Sequence, residues 1–255
     1  MSDQRQAWVL RKRPEGDISD GDLELVTEDM PAIGDGEILV KVKYISMDPT
    51  NRIWMSDMDQ YMPPVEIGDV MRAGIAGEVI ASNHDDFKVG MNVGGLGGYA
   101  THVSGHAANF QPMPDIPGIE LIQMFGSLGG TAMTAYFGFL DICEPKEGET
   151  LVVSAASGAV GSVVGQIGKI KGCRVIGIAG GKEKCDYVVN ELGFDGCIDY
   201  KNEDVGVMLD KHCPDGIDMN FENVGGEIMN EVMGRMNDFG RMALCGMIST
   251  YNDTE

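Results

Sequence analysis

The segment from Leu151 to Tyr200 constrains the fold more tightly than any other part of the chain. Leu151-Val152-Val153 is a short apolar run, Ala155-Ala156-Ser157-Gly158-Ala159-Val160-Gly161 follows at once, and Val163, Val164, Ile167 and Ile170 then recur at helical spacing. That order predicts a strand, a glycine turn and an amphipathic helix. Gly158 and Gly161 have no Cβ, so backbone N–H groups from Gly158 through Ala159 and Val160 to Gly161 can approach a pyrophosphate. The helix that starts there turns its partial positive end toward the same anion. A glycine pattern alone is weak, because turns use glycine for many reasons. Here the strand before it, the helix after it and a second strand at Arg174–Ala179 supply the required context.

The tip of the second strand bears on which nucleotide is held. NAD-binding domains place an acid about 20 residues after the glycines to take the ribose 2′-OH, and a base replaces it where a 2′-phosphate is bound. This chain has Gly180-Gly181-Lys182-Glu183-Lys184, with no carboxylate at the tip and two ammonium groups, Lys182 and Lys184, nearby. NADP(H) is the expected cofactor.

Around this stretch the sequence divides in two. Residues 1–125 are rich in short strand-like runs at Ala7–Leu10, Leu23–Val26, Ile38–Ser46 and Gly77–Ala81, separated by Gly, Pro and Asp turns; they read as a β-rich, partly barrel-like domain. Phe87–Val93 followed by Gly94–Ala100 reads as a turn and strand carrying a flexible glycine loop. From Ile119 to Leu140 the pattern turns helical. Residues 126–255 continue as the nucleotide domain, with strands beginning near Leu151, Arg174, Gly196, Gly216 and Gly240 and a helix through Ile228, Val232, Met233 and Met236. Strands alternating with helices predict a doubly wound parallel sheet. Such sheets usually have six strands, so five predict an incomplete domain.

The formal charge of −21 opposes binding to nucleic acid or an anionic membrane. It also requires Lys182, Lys184, Arg174 and the helix N-terminus to attract an anionic cofactor at short range. No apolar run is long enough to span a membrane, and Met1-Ser2-Asp3-Gln4-Arg5-Gln6 lacks the build of a signal peptide, which places the protein in the cytoplasm. Six cysteines without a C-x-x-C pair fit reduced thiols rather than a disulfide framework or a zinc lobe. His102 and His106 stand four apart in a strand-and-turn segment with no third ligand, and read as surface or packing residues.

Five segments together resemble the zinc-independent medium-chain dehydrogenase/reductase family, and within it the prostaglandin reductase-like NADPH-dependent alkenal/one reductases. They are Met47–Arg52, Leu128–Gly138, Ala155–Gln166, Glu222–Gly226 and Cys245–Asn252. The resemblance covers nearly the whole chain. It implies a GroES-like, partly open barrel followed by a Rossmann domain truncated at its C-terminus, and a homodimer at full length. It further implies that Gly158 to Gly161 cradle the pyrophosphate and that Lys184 and Tyr200 hold the 2′-phosphate. Asn223 and the Cys245–Tyr251 loop, including Gly246 and Ser249, would pack on the nicotinamide side. Tyr251 would hydrogen-bond the substrate carbonyl as the catalytic residue, and Tyr61 would line the substrate pocket. Zinc-dependent members carry G-H-E where this chain has Gly74-Ile75-Ala76-Gly77-Glu78, so no metal is expected. The implied reaction is hydride transfer to the carbon–carbon double bond of an enone. The alternatives are a quinone substrate on the same scaffold and a non-catalytic NADPH-binding module.

Overall fold

The computed structural model describes residues 4–253. The start of the polar N-terminal run, Met1 to Asp3, and the chain end at Glu255 lie outside them. Two compact units result: one extends to Phe125 and takes in Asn252 and Asp253, and the other is Gly126–Tyr251.

In the first unit, β1 (Gln4–Leu10) and β2 (Leu23–Asp29) form an antiparallel pair. Strands β3 (Glu37–Ile45), β4 (Arg72–Ser82), β5 (Asn92–Gly98), β6 (His102–His106) and β7 (Phe110–Pro112) form an antiparallel sheet in the order β6-β3-β4-β5-β7. Single bridges from Ala7 to Ala100 and from Val9 to Val70 tie the pair to the sheet and curl it. Ile38, Val40, Ile75, Val79, Val93 and Phe110 fill the inside. A second cluster joins Leu10, Met71 and Tyr99 to Trp54 of the short helix α1 (Thr50–Trp54).

The glycines after Val93 are not a flexible loop. Gly94 to Gly98 pair with β4 on one side, and Gly94 and Gly95 pair with β7 on the other. A Cβ at Gly95 would stand 2.3 Å from the Asn109 carbonyl oxygen, so glycine here serves close backbone approach within a sheet.

The helical stretch expected over Ile119–Leu140 is broken into α2 (Leu121–Ser127), α3 (Gly130–Phe137) and a π-helical turn at Gly138–Cys143. In the second unit, strands β8 (Thr150–Ser154), β9 (Arg174–Ala179), β10 (Gly196–Asp199), β11 (Ile217–Glu222) and β12 (Met236–Leu244) form a wholly parallel sheet in the order β10-β9-β8-β11-β12. Helices α4 (Ala159–Ile170), α5 (Lys182–Asn190), α6 (Val205–His212) and α7 (Gly226–Met233) connect them. Leu151 and Val153 of β8 point into one core with Phe139, Val164, Val175 and Phe221, whereas Val152 points into another with Ile176, Ile198, Leu209 and Val232. Both faces of the sheet are therefore covered, as parallel sheets require.

The last helix is shorter than its apolar spacing predicts. Gly234 caps it, and Met236 already belongs to β12, paired with Ile217. The β12 register then shifts so that Arg241 opposes Met219, and between them Phe239 takes a left-handed φ of 63° with its side chain 96% exposed. This irregularity hid the first half of the strand from a reading based on alternation.

Candidate cofactor and active site

From β8 the chain moves outward to β9 and β10 on one side, and only then crosses to β11 and β12 on the other. The strand order thus reverses between β8 and β11, and doubly wound sheets bind ligands in the crevice beyond the C-terminal strand ends at that point. Most of the expected site residues lie along this edge.

The turn leaving β8 is tight. Ala155 adopts a left-handed φ of 48°, its carbonyl accepts from the Gly158 N–H at 2.9 Å, and the Ala156 N–H is held by the Ile178 carbonyl at 3.0 Å. A Cβ at Gly161 would lie 2.4 Å from the Ala155 oxygen, so only glycine lets α4 start this close to the turn. Gly158 is the N-cap and supplies no side-chain acceptor, and no acid stands in the first turn. The N–H groups of the Ala159, Val160 and Gly161 turn are thus available to an anion, and the helix field favours one.

Beside this turn the tip of β9 faces the exit of β10. A Cβ at Gly180 would meet Tyr200 Cε1 at 2.8 Å and Lys201 Cε at 3.0 Å, so the phenol and the ammonium stem both lie over Gly180. Lys201 was not singled out by the sequence; its only signal is its place next to Tyr200. Lys184 is exposed and carries no ion pair among the described residues, whereas Lys182 is engaged by Asp186 one turn along α5. Arg174, expected to help attract the cofactor, lies at the opposite, N-terminal end of β9. Its guanidinium donates to the His212 carbonyl at 3.0 and 2.9 Å.

Asp199 ends β10 and is a second residue the sequence did not reveal. Its carboxylate accepts from Asn202 Nδ2 at 2.7 Å, the Gly181 N–H at 2.7 Å and the Lys201 N–H at 3.2 Å. These bonds, that of Asn202 foremost, hold its carboxyl below the usual aspartate value. The acid is consumed in shaping the Gly180-Gly181 turn.

On the other side, the Asn223 N–H donates to Ser154 Oγ at 2.8 Å and its side-chain amide donates to the Ser154 carbonyl at 2.7 Å, which binds the end of β11 to the end of β8. The Cys245–Tyr251 loop packs back on the same turn. The Cys245 and Gly246 N–H groups reach the Glu222 carbonyl at 2.9 and 3.1 Å, and Ser249 Oγ donates to the Val224 carbonyl at 2.6 Å. Tyr251 Oη lies over Gly246 and accepts from the Met247 N–H at 3.2 Å, which leaves its own proton free to donate. Tyr61 belongs to the other unit, where its 71% exposed side chain bonds Thr50 and accepts from Trp54 Nε1 at 3.1 Å.

Residues 6–113 match the model for the N-terminal domain of oxidoreductases, and residues 159–255 match a model described as zinc-binding dehydrogenase. No group of His, Cys, Asp or Glu among the described residues is arranged to hold a metal. The chain is 44% identical to the NADPH-dependent curcumin reductase of Escherichia coli, spanning 100% of this chain and 74% of that protein. It is 40% identical to rabbit prostaglandin reductase 1 over 97% of this chain and 69% of the relative. The crystal structure of CurA from Vibrio vulnificus in complex with NADPH superposes with a TM-score of 0.93 at 45% identity, covering 98% of this chain and 74% of the other.

Proposed function

This chain belongs to the NADPH-dependent medium-chain dehydrogenase/reductase family, and on that premise we propose that it reduces the carbon–carbon double bond of α,β-unsaturated ketones and aldehydes. The observation that carries the reading is the Ala155–Gly161 turn, where glycine at 161 lets α4 start against the Ala155 carbonyl with no side-chain cap on its first N–H groups, beside a strand tip whose own residues, Gly180 and Gly181, carry no acid and are followed by Lys182 and Lys184. These features fit NADPH. Gly158 to Gly161 hold the pyrophosphate, Lys184, Tyr200 and Lys201 hold the 2′-phosphate, and Asn223 with the Cys245–Tyr251 loop forms the nicotinamide side.

When bound, NADPH supplies the hydride that adds to the enone β-carbon. The protein has to orient the substrate and stabilise the negative charge that collects on the carbonyl oxygen. Tyr251, with its proton uncommitted, is the donor for that oxygen, a contribution on the order of a few kcal/mol. We further propose that the reaction needs no zinc, that the six free thiols belong to a reducing compartment such as the cytoplasm, and that the full-length protein is a homodimer. Among the described residues no helix is long and apolar enough to cross a membrane.

The names of relatives at 40% identity and above favour enones over quinones. NADPH oxidation followed with an enone, with a quinone and with neither tests the proposal: faster oxidation with the enone supports it. A preference for the quinone overturns the substrate class. Tight NADPH binding without turnover on either points to a non-catalytic module.

A further inference from the structure

We infer that Glu222 is a positioning residue that sets the nicotinamide-side wall of the crevice, acting through Ser154, Asn223 and the Val224-Gly225 turn. The inference rests on the nucleotide reading above. Glu222 is the last residue of β11 and is 0% exposed, a place where a carboxylate is rarely found without a strong reason. Its hydrogen-bond partners include no cation. One oxygen, Oε1, accepts from Ser154 Oγ at 2.8 Å, the Val224 N–H at 2.6 Å and the Gly225 N–H at 2.8 Å, and Oε2 accepts from Asn220 Nδ2 at 3.1 Å.

Each donor belongs to a part of the site. Ser154 ends β8 and itself accepts from the Asn223 N–H, so the carboxylate, the hydroxyl and the amide form one chain across the point where strand order reverses. Val224 and Gly225 form the turn whose carbonyl receives Ser249 of the Cys245–Tyr251 loop. The adenosine side hangs on other bonds, those that Asp199 accepts from Gly181, Lys201 and Asn202, and shares none of these. Loss of the Glu222 contacts should therefore loosen one half of the crevice and spare the other.

Glutamine can keep the arrangement. Its Oε1 would accept from the same three donors, and its Nε2 would donate to Asn220 after that amide turns over to present Oδ1, which has no partner at present. The role is thus one of hydrogen bonding, and the conservative variant separates it from a need for charge.

The test titrates the 255-residue chain and its E222A, S154A and E222Q variants with NADPH and with adenosine 2′,5′-bisphosphate, which reaches only the adenosine side. For E222A and S154A the expected result is bisphosphate affinity within about twofold of the parent, NADPH affinity reduced about tenfold, and a weakened fluorescence enhancement of bound NADPH. E222Q should restore NADPH binding to within about threefold of the parent. Unchanged NADPH affinity in both E222A and S154A overturns the inference. So does a parallel loss of both ligands in S154A, which would mark a general structural role, and so does an E222Q chain as impaired as E222A. A parent that binds neither ligand overturns the nucleotide reading itself.

Discussion

The ring of Tyr200 lies against the bare backbone of Gly180, so closely that a Cβ there would stand 2.8 Å from Cε1. The phenol and the strand tip therefore form one surface. Gly180→Ala must push Tyr200 and Lys201 aside, and we expect NADPH affinity to fall about tenfold while the melting temperature moves little, because the displaced side chains are exposed. Calorimetric titration beside a thermal melt checks both halves.

Lys184→Ala should weaken NADPH more than NADH, by about 1–3 kcal/mol for loss of a charged hydrogen bond to the 2′-phosphate. Lys201→Ala should show the same preference. Equal losses for the two cofactors would remove both lysines from the phosphate subsite.

Gly165→Ala addresses packing away from the crevice. Its Cβ would fall 1.8 Å from Cζ of the buried Phe194 ring, which must shift against α4. Overpacking of this kind costs about 1–3 kcal/mol, visible as an earlier urea midpoint with an unchanged slope.

Arg241 on β12 holds both oxygens of Glu149, just before β8, at 2.8 and 2.6 Å, and also donates to the Cys143 carbonyl at 2.9 Å. The guanidinium keeps the Glu149 carboxyl below its ordinary value of 4.5. A depressed carboxyl stabilises the fold above that value and loses its contribution as pH falls through the lower, folded one. Arg241→Met should cost about 1–2 kcal/mol at neutral pH and flatten the acid limb of the stability curve below pH 4.5. Denaturant titrations at neutral and acid pH measure the difference; an unaltered acid limb would assign it to other carboxylates.

Exhaustive chelation should leave NADPH binding and enone turnover unchanged. Loss of either, restored by zinc, would show a metal role that the described side chains do not reveal.

Much of the nucleotide unit was legible because its signals are local. Val163, Val164, Ile167 and Ile170 repeat at helical spacing, and Gly158 and Gly161 stand where a turn must meet a helix. What the sequence does not show depends on partners far along the chain. Nothing near Glu222 announces that its carboxylate meets Ser154, 68 residues earlier, and nothing near Asp199 says that it will bind the Gly181 N–H. The glycines of β5 misled for the same reason, since a loop and a crowded strand spend glycine alike until the neighbouring Asn109 carbonyl is in place. Charge alone assigns Arg174 to the cofactor, yet strand direction puts it at the far end of the sheet.

The alternation along β8 has a consequence for folding accuracy. Leu151, Val152 and Val153 are all 0% exposed and feed opposite cores, so sliding this strand by one residue would exchange one aliphatic side chain for another on each face. Hydrophobicity alone can scarcely tell the right alignment from the wrong one. The distinction falls to the strand's two polar ends, where the Thr150 N–H meets Asp218 Oδ2 at 2.8 Å and Ser154 Oγ meets Glu222 at 2.8 Å. A slip of one residue would take a donor from both carboxylates at once, and Glu222 would lose its own in a place that water does not reach.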